Sequence, residues 1–235
     1  MNPSQQVERR EATIRKGEPA LPGDLALPAD ATGIVVFAHG SGSSRFSARN
    51  RLVADSLNGG GLATLLFDLL TADEHEVDQR TRELRFDIPM LGQRLTRTVD
   101  WLKEQPGIGN LPVGLFGAST GSAAALIAAA ERPGTVAAVV SRGGRPDLTG
   151  PRLERVRAPT LLIVGGDDSP VIGMNRDAAR DLRCEHRIEI IPGATHLFEE
   201  PGKLEEVARL ARDWFLTYLV PRTGRHRAGG GRGSV

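Results

Sequence analysis

Short runs of consecutive apolar residues alternate along the chain with longer stretches in which apolar residues return every three or four positions. The runs are 34–38 (IVVFA), 62–67 (LATLLF), 112–116 (PVGLF), 136–140 (VAAVV), 160–164 (TLLIV) and 187–191 (RIEII). Unbroken apolar character over five or six residues, without in–out alternation, marks strands covered on both faces. The longer stretches predict helices over 48–58, 88–104, 121–131, 173–182 and 203–219. The last is the clearest. Leu204, Val207, Ala208, Leu210, Ala211, Trp214, Phe215 and Tyr218 fall on one face at helical spacing. Strands and helices alternating in this way predict an α/β fold, with a mostly parallel central sheet and helices on both faces.

Two segments stand outside this rhythm. Residues 9–28 read as one or two antiparallel edge strands. Residues 71–87 (TADEHEVDQRTRELRFD) hold six acids and three arginines. They read as a charged surface loop, with a small cap as the alternative. No internal repeat or linker divides the chain. The expected organisation is one domain over 9–220, between a disordered N-terminus at 1–8 and a disordered Gly/Arg-rich tail at 221–235.

Composition narrows the function. The 235 residues carry 30 Lys and Arg against 29 Asp and Glu, a net charge of +1. Four of those arginines (Arg222, Arg225, Arg227, Arg232) lie in the tail, which has no acid, so the body holds 26 basic against 29 acidic residues. A mildly acidic body argues against a nucleic-acid partner. No apolar stretch reaches membrane-spanning length, and the polar N-terminus lacks the apolar core of a signal peptide. The expected location is the cytoplasm, with a small molecule as substrate and a monomer or small homo-oligomer as the assembly. The single cysteine, Cys184, excludes an internal disulfide and a cysteine-based metal site. It reads as late in a helical stretch, away from any strand end, and is not expected to be a nucleophile.

In parallel α/β sheets the chemistry collects beyond the C-terminal ends of the strands, so the residues after each strand matter most. After 112–116 comes Gly117-Ala118-Ser119-Thr120-Gly121, a G-x-S-x-G pattern between a predicted strand and a predicted helix. A sharp turn there lifts the serine above the sheet, with a helix N-terminus below it. A serine needs a base to become a nucleophile. His196, directly after strand 187–191, is the best placed of five histidines. The imidazole in turn needs an acid to orient it. After strand 160–164 either Asp167 or Asp168 is available, and the G-x-x-D-x-x-V spacing from Gly165 to Val171 selects Asp168, leaving Asp167 as a turn residue. The order Ser119, Asp168, His196 is that of α/β-hydrolases rather than of the chymotrypsin or subtilisin type.

Acyl chemistry also needs donors for an oxyanion. The backbone N–H of Thr120, just after the serine, is one. Ser41, in the His39-Gly40-Ser41-Gly42 loop after strand 34–38, supplies the other. That loop begins like a dinucleotide-binding fingerprint, but Arg45 stands where the third glycine belongs. Arg45 and Arg142 stand on the same edge, as does Arg145, and could bind a carboxylate or phosphate group of a substrate. Ion pairing within the protein is the alternative.

The loop HGSGSSRFSARNR, the elbow GASTG, the run LLIVGGDDSPV and the loop PGATHLFEEPG together resemble the α/β-hydrolase superfamily, and within it the dienelactone-hydrolase-like branch. The resemblance covers about residues 10–219. It implies a sheet of about eight strands, with Ser119 as nucleophile, Asp168 as acid, His196 as base, and Ser41 and Thr120 as oxyanion donors. Dienelactone hydrolases proper carry a cysteine where this chain has Ser119, so the branch name does not transfer their substrate. Relatives with the serine can also be fused to a phosphoribosyltransferase domain, for which this chain has no candidate segment. The expected function is hydrolysis of a small carboxylic ester, thioester or lactone, without a metal or organic cofactor. Acyl transfer by the same triad and a non-catalytic binding protein on the same fold are the rivals.

Overall fold

A computed structural model describes residues 6–220. The chain forms β1 (Val7–Ile14), β2 (Leu21–Pro28), β3 (Ile34–Ala38), α1 (Ala48–Gly59), β4 (Ala63–Phe67), α2 (Ala72–Thr81), α3 (Ile88–Lys103), β5 (Val113–Ala118), α4 (Thr120–Glu131), β6 (Val136–Arg142), β7 (Thr160–Gly165), α5 (Ser169–Asp181), β8 (His186–Ile191) and α6 (Lys203–Leu219). Short 3₁₀ segments lie at Leu84–Phe86 and Pro146–Arg155. One sheet holds all eight strands in the order β1-β2-β4-β3-β5-β6-β7-β8. β1 and β2 pair antiparallel with each other, β2 pairs antiparallel with β4, and every pairing from β4 to β8 is parallel.

The continuous apolar strands are buried on both sides. All five residues of β3 and of β4 are buried, and so are all six of β5. Alternation along β3 sends Ile34, Val36 and Ala38 into one core layer with α3, α4 and α5, and Val35 and Phe37 into the other with α1 and α6. α4 is the innermost helix. Every residue from Thr120 to Ala130 is buried, which fits a helix that is apolar all round. Its run of alanines brings the helix axis close under the sheet.

Three boundaries differ from the sequence reading. The first strand begins at Val7, inside the segment 1–8 expected to be disordered; residues 1–5 and the tail 221–235 lie outside the described residues. The insertion 71–87 is not a loop: it folds as α2 and a 3₁₀ turn. No apolar stripe signals α2, because Asp78 is the residue it buries. Its stability is local. Thr71 and Glu74 form a reciprocal capping box. Glu74 takes a two-point bond from Arg94 at 2.6 and 2.7 Å, and Asp78 takes one from Arg85 Nε at 2.6 Å. Cys184 sits in the α5–β8 connection rather than in a helix. It is half-buried, 3.8 Å from Thr160 Oγ1 at the N-terminal end of β7, with its thiol pKa pushed up by burial. That end of the sheet is the one opposite Ser119. Among the described residues no helix is long and apolar enough to cross a membrane.

Candidate active site

The turn from β5 to α4 is built on two close approaches. A Cβ on Gly117 would lie 2.3 Å from Ser122 Cα, and a Cβ on Gly121 would lie 2.3 Å from Ala38 O and 2.5 Å from His39 O. Only hydrogen fits at either place, so strand, helix and the β3 loop can close on Ser119. Backbone atoms that cannot move aside make Gly117→Ala an overpacking change. It is expected to cost about 1–3 kcal/mol or somewhat more, read as a lowered denaturant midpoint. An unchanged midpoint would mean that the elbow is looser than drawn.

Ser119 has φ 50° and ψ −122°, a region L-residues occupy at a cost of about 1–3 kcal/mol. Its surroundings hold it there. Its N–H donates to Arg142 O at 3.0 Å, and its carbonyl accepts from Ser122 N–H (3.1 Å), Ser122 Oγ (2.8 Å) and Arg145 N–H (3.2 Å). Strain at this residue projects the hydroxyl off the sheet edge. His196 Nε2 lies 3.3 Å from Ser119 Oγ, and His196 Nδ1 lies 2.6 Å from Asp168 Oδ2. Asp168 is the residue just before α5 and makes no capping bond with its side chain, which leaves the carboxylate for the imidazole. Asp167 donates its backbone N–H to Ala194 O at 3.0 Å, a turn contact. The His196 ring packs on Gly143, where an added Cβ would lie 3.5 Å from two ring atoms.

The loop after β3 lies directly on the elbow. A Cβ on Gly40 would sit 3.2 Å from Ala118 O and from Ser119 Cβ. Ser41 and Thr120 line one narrow recess, together with His39, Gly42, Leu69, His75 and Arg85. A surface groove of about 470 Å³ lies elsewhere, over β1, β2 and α1, and its charged residues Arg9, Arg51, Asp24 and Asp55 pair with one another. It touches none of the triad candidates.

His39 shapes this loop in a way its sequence position did not signal. Leu69 N–H donates to His39 Nε2 at 3.0 Å, a role open only to an unprotonated nitrogen. Nδ1 then carries the proton and donates it to Gly40 O at 3.0 Å. Burial pushes the pKa of His39 below its ordinary 6.5, against the opposing pull of Gly40 O and Asp68. The folded state therefore binds fewer protons than the unfolded one below pH 6.5. The stability this gives is complete above that pH and is lost as pH falls from there through the folded pKa. Melting temperatures of wild type and His39→Asn are expected to diverge least near about pH 5 and most near about pH 7; parallel curves would remove the assignment.

Arg45 and Arg145 are already neutralised. Arg45 donates its backbone N–H to Asp68 at 2.7 Å, engages the same carboxylate through Nη1, lies 3.4 Å from Asp24, and stacks 4.1 Å over the Phe46 ring. It braces the β3–α1 loop against the end of β4, so its charge is met within the protein and, contrary to the sequence expectation, is not free for a substrate anion. Arg145 makes a two-point pair with Asp147. Arg142 has no such partner. Among the described residues no three His, Cys, Asp or Glu side chains are gathered as metal ligands.

A serine, a histidine and an aspartate in hydrogen-bonding sequence on the strand-end edge of such a sheet direct the comparison with known proteins. Residues 21–218 match the model of the dienelactone hydrolase family. The chain belongs to that family. It is 60% identical to the crystal structure of a dienelactone hydrolase from Anabaena variabilis, with a TM-score of 0.90 over 91% of this chain and 99% of that one. A second solved structure, Est1E from Butyrivibrio proteoclasticus, shares the fold at 16% identity with a TM-score of 0.73, over 88% of this chain and 98% of that one. Two Mycobacterium tuberculosis proteins, each bearing the name "Putative phosphoribosyl transferase", are 54% identical over 209 residues. The match takes in 89% of this chain and 46% of theirs, so the chain spans about half the length of these curated relatives. Their name describes a whole protein twice as long. What family membership supports for this chain is a hydrolase of the dienelactone hydrolase type.

Proposed function

We infer that this family member is a serine hydrolase that cleaves a small carboxylic ester, thioester or lactone through an acyl-enzyme on Ser119. The observation that carries the reading is the relay from Asp168 Oδ2 to His196 Nδ1 at 2.6 Å and from His196 Nε2 to Ser119 Oγ at 3.3 Å. The second distance is within hydrogen-bond reach and is of the kind that tightens when substrate binds.

In this reaction Ser119 Oγ attacks the acyl carbon as His196 Nε2 takes its proton. Asp168 accepts from Nδ1–H, holds the ring in the tautomer that leaves Nε2 free, and stabilises the imidazolium. The N–H groups of Ser41 and Thr120 meet the developing oxyanion. His196 then protonates the leaving alcohol or thiol, and water, deprotonated by the same nitrogen, releases the acid. Each proton is handed on by groups already in place, so the steps call for no metal or organic cofactor.

A fluorophosphonate probe tests the reading directly. One adduct per chain is expected, and peptide mass spectrometry should map it to the segment containing Ser119. An adduct elsewhere, or none on folded protein, would overturn it.

A further inference from the structure

Thr120, the first residue of α4, brings two donors to the elbow: its backbone N–H and a hydroxyl. The residue is 4% exposed. Its Oγ1 is buried and has no hydrogen-bond partner among the described residues. Four other buried threonines use their hydroxyls within the fold. Thr96 donates to Gly92 O at 2.8 Å, Thr98 to Arg94 O at 2.9 Å and Thr160 to Ala158 O at 3.0 Å, while Thr64 accepts from Asn58 Nδ2 at 3.1 Å. Thr149 shares the lack of a partner, but it sits in the 3₁₀ segment Pro146–Arg155, outside the recess at the elbow.

The chain explains why the Thr120 hydroxyl is left over. Thr96 and Thr98 lie inside α3 and bond back to the carbonyl four residues earlier. Four residues before Thr120 is Phe116, inside β5, so no helical turn precedes this hydroxyl. An unmet buried donor costs about 1–3 kcal/mol. The recess that Thr120 shares with Ser41 encloses about 10 Å³, the space of one water-sized group. In it, His39 has both ring nitrogens engaged, by Leu69 N–H and by Gly40 O, and Arg85 is bound to Asp78. Leu69, Leu70 and Leu91 offer only apolar walls. The start of a helix favours negative charge. In a threonine, N and Oγ1 are separated by only two carbons, so both can donate to one oxygen atom.

We propose that the Thr120 hydroxyl is a catalytic group, a third donor to the oxyanion beside the N–H of Thr120 and the N–H of Ser41. It keeps its proton throughout and forms no bond to the acyl carbon. Its hydrogen bond strengthens as the carbonyl oxygen gains charge, so it lowers the barrier rather than tightening substrate binding. The proposal rests on the serine-hydrolase reading above, and its test fails separately from it.

Thr120→Val removes the hydroxyl, keeps the backbone N–H and nearly keeps the shape. Acylation by p-nitrophenyl acetate, followed in single turnovers, is expected to slow roughly tenfold or more, with the dissociation constant of the ester within about threefold of wild type. Thr120→Ser should recover most of the rate, because a hydroxyl returns. Trifluoroacetone, whose adduct with Ser119 carries the same oxyanion, should bind Thr120→Val roughly tenfold or more weakly, and Thr120→Ser nearly as well as wild type. The melting temperature of Thr120→Val should match or exceed that of wild type, since an unmet buried donor is gone. If the valine variant does not fold, Thr120→Ala carries the kinetic and ketone comparisons against Thr120→Ser. A rate and a ketone affinity within about threefold of wild type without the hydroxyl overturn the proposal. So does a loss that Thr120→Ser does not recover, or a lowered melting temperature in Thr120→Val, which marks a hydroxyl bonded within the fold. In each of those cases, wild-type turnover and a fluorophosphonate adduct that depend on Ser119 leave the hydrolase reading standing. Absence of both in wild type overturns that reading, and this proposal with it.

Discussion

Ser119→Ala is expected to reduce p-nitrophenyl acetate turnover by about 10⁵–10⁶-fold and to eliminate fluorophosphonate labelling, with the fold intact. The size of the loss follows from the removal of the covalent step itself. Without Oγ there is nothing to form the acyl-enzyme, and His196 and Asp168 are left orienting no nucleophile. A residual rate of about 10³–10⁴ over water survives in such variants, from oxyanion stabilisation and binding alone. The fold should tolerate the change because the contacts that hold residue 119 in its strained conformation are made by its backbone: N–H to Arg142 O, and carbonyl to Ser122 and Arg145. Alanine keeps all of them and loses only the long contact to His196. Circular dichroism and the melting temperature check that half of the expectation. Turnover within tenfold of wild type would remove Ser119 from the mechanism.

Asp168→Asn is expected to lower kcat by about 10⁴-fold, whereas Asp167→Asn stays within a few-fold of wild type. The two residues are adjacent and alike, so the contrast isolates geometry. Asp168 Oδ2 is 2.6 Å from His196 Nδ1. An asparagine in that place can present its NH₂ to Nδ1, which turns the ring to the tautomer with its proton on Nε2 and leaves no base facing the serine. Asp167 contributes a backbone N–H to Ala194, a bond asparagine retains. Steady-state kinetics on a single ester, with melting curves for both variants, decide the matter. The reverse ranking would transfer the orienting role to Asp167.

The strands were legible because burial on both faces leaves a signature that needs no partner information: five or six apolar residues in a row. The run 34–38 coincides with β3, and the helix read over 203–219 with α6. The candidate site was legible for a related reason. Parallel strands deliver their following residues to one edge, so Ser119, Asp168 and His196 could be collected from strand ends far apart in sequence. α2 escaped notice because its stability comes from a capping box and from ion pairs with Arg94 and Arg85. Local charge pairs leave no periodicity. His39 escaped for a similar reason, since its partner Leu69 follows a different strand.

By itself, then, the sequence determined the alternation of strands and helices, the shared edge on which the chemistry collects, and the order of serine, acid and base along the chain. These depend on burial and on connectivity, both of which are written in local patterns. The spacing also picked Asp168 over Asp167, and the tertiary structure added the 2.6 Å contact of its carboxylate with the imidazole. Only it separated the arginines into Arg45 and Arg145, whose charges the protein itself absorbs, and Arg142, whose charge it leaves unmet. Pairing is a property of three-dimensional neighbours, and three arginines that look alike in a sequence differ entirely in what stands within 4 Å of their guanidinium groups.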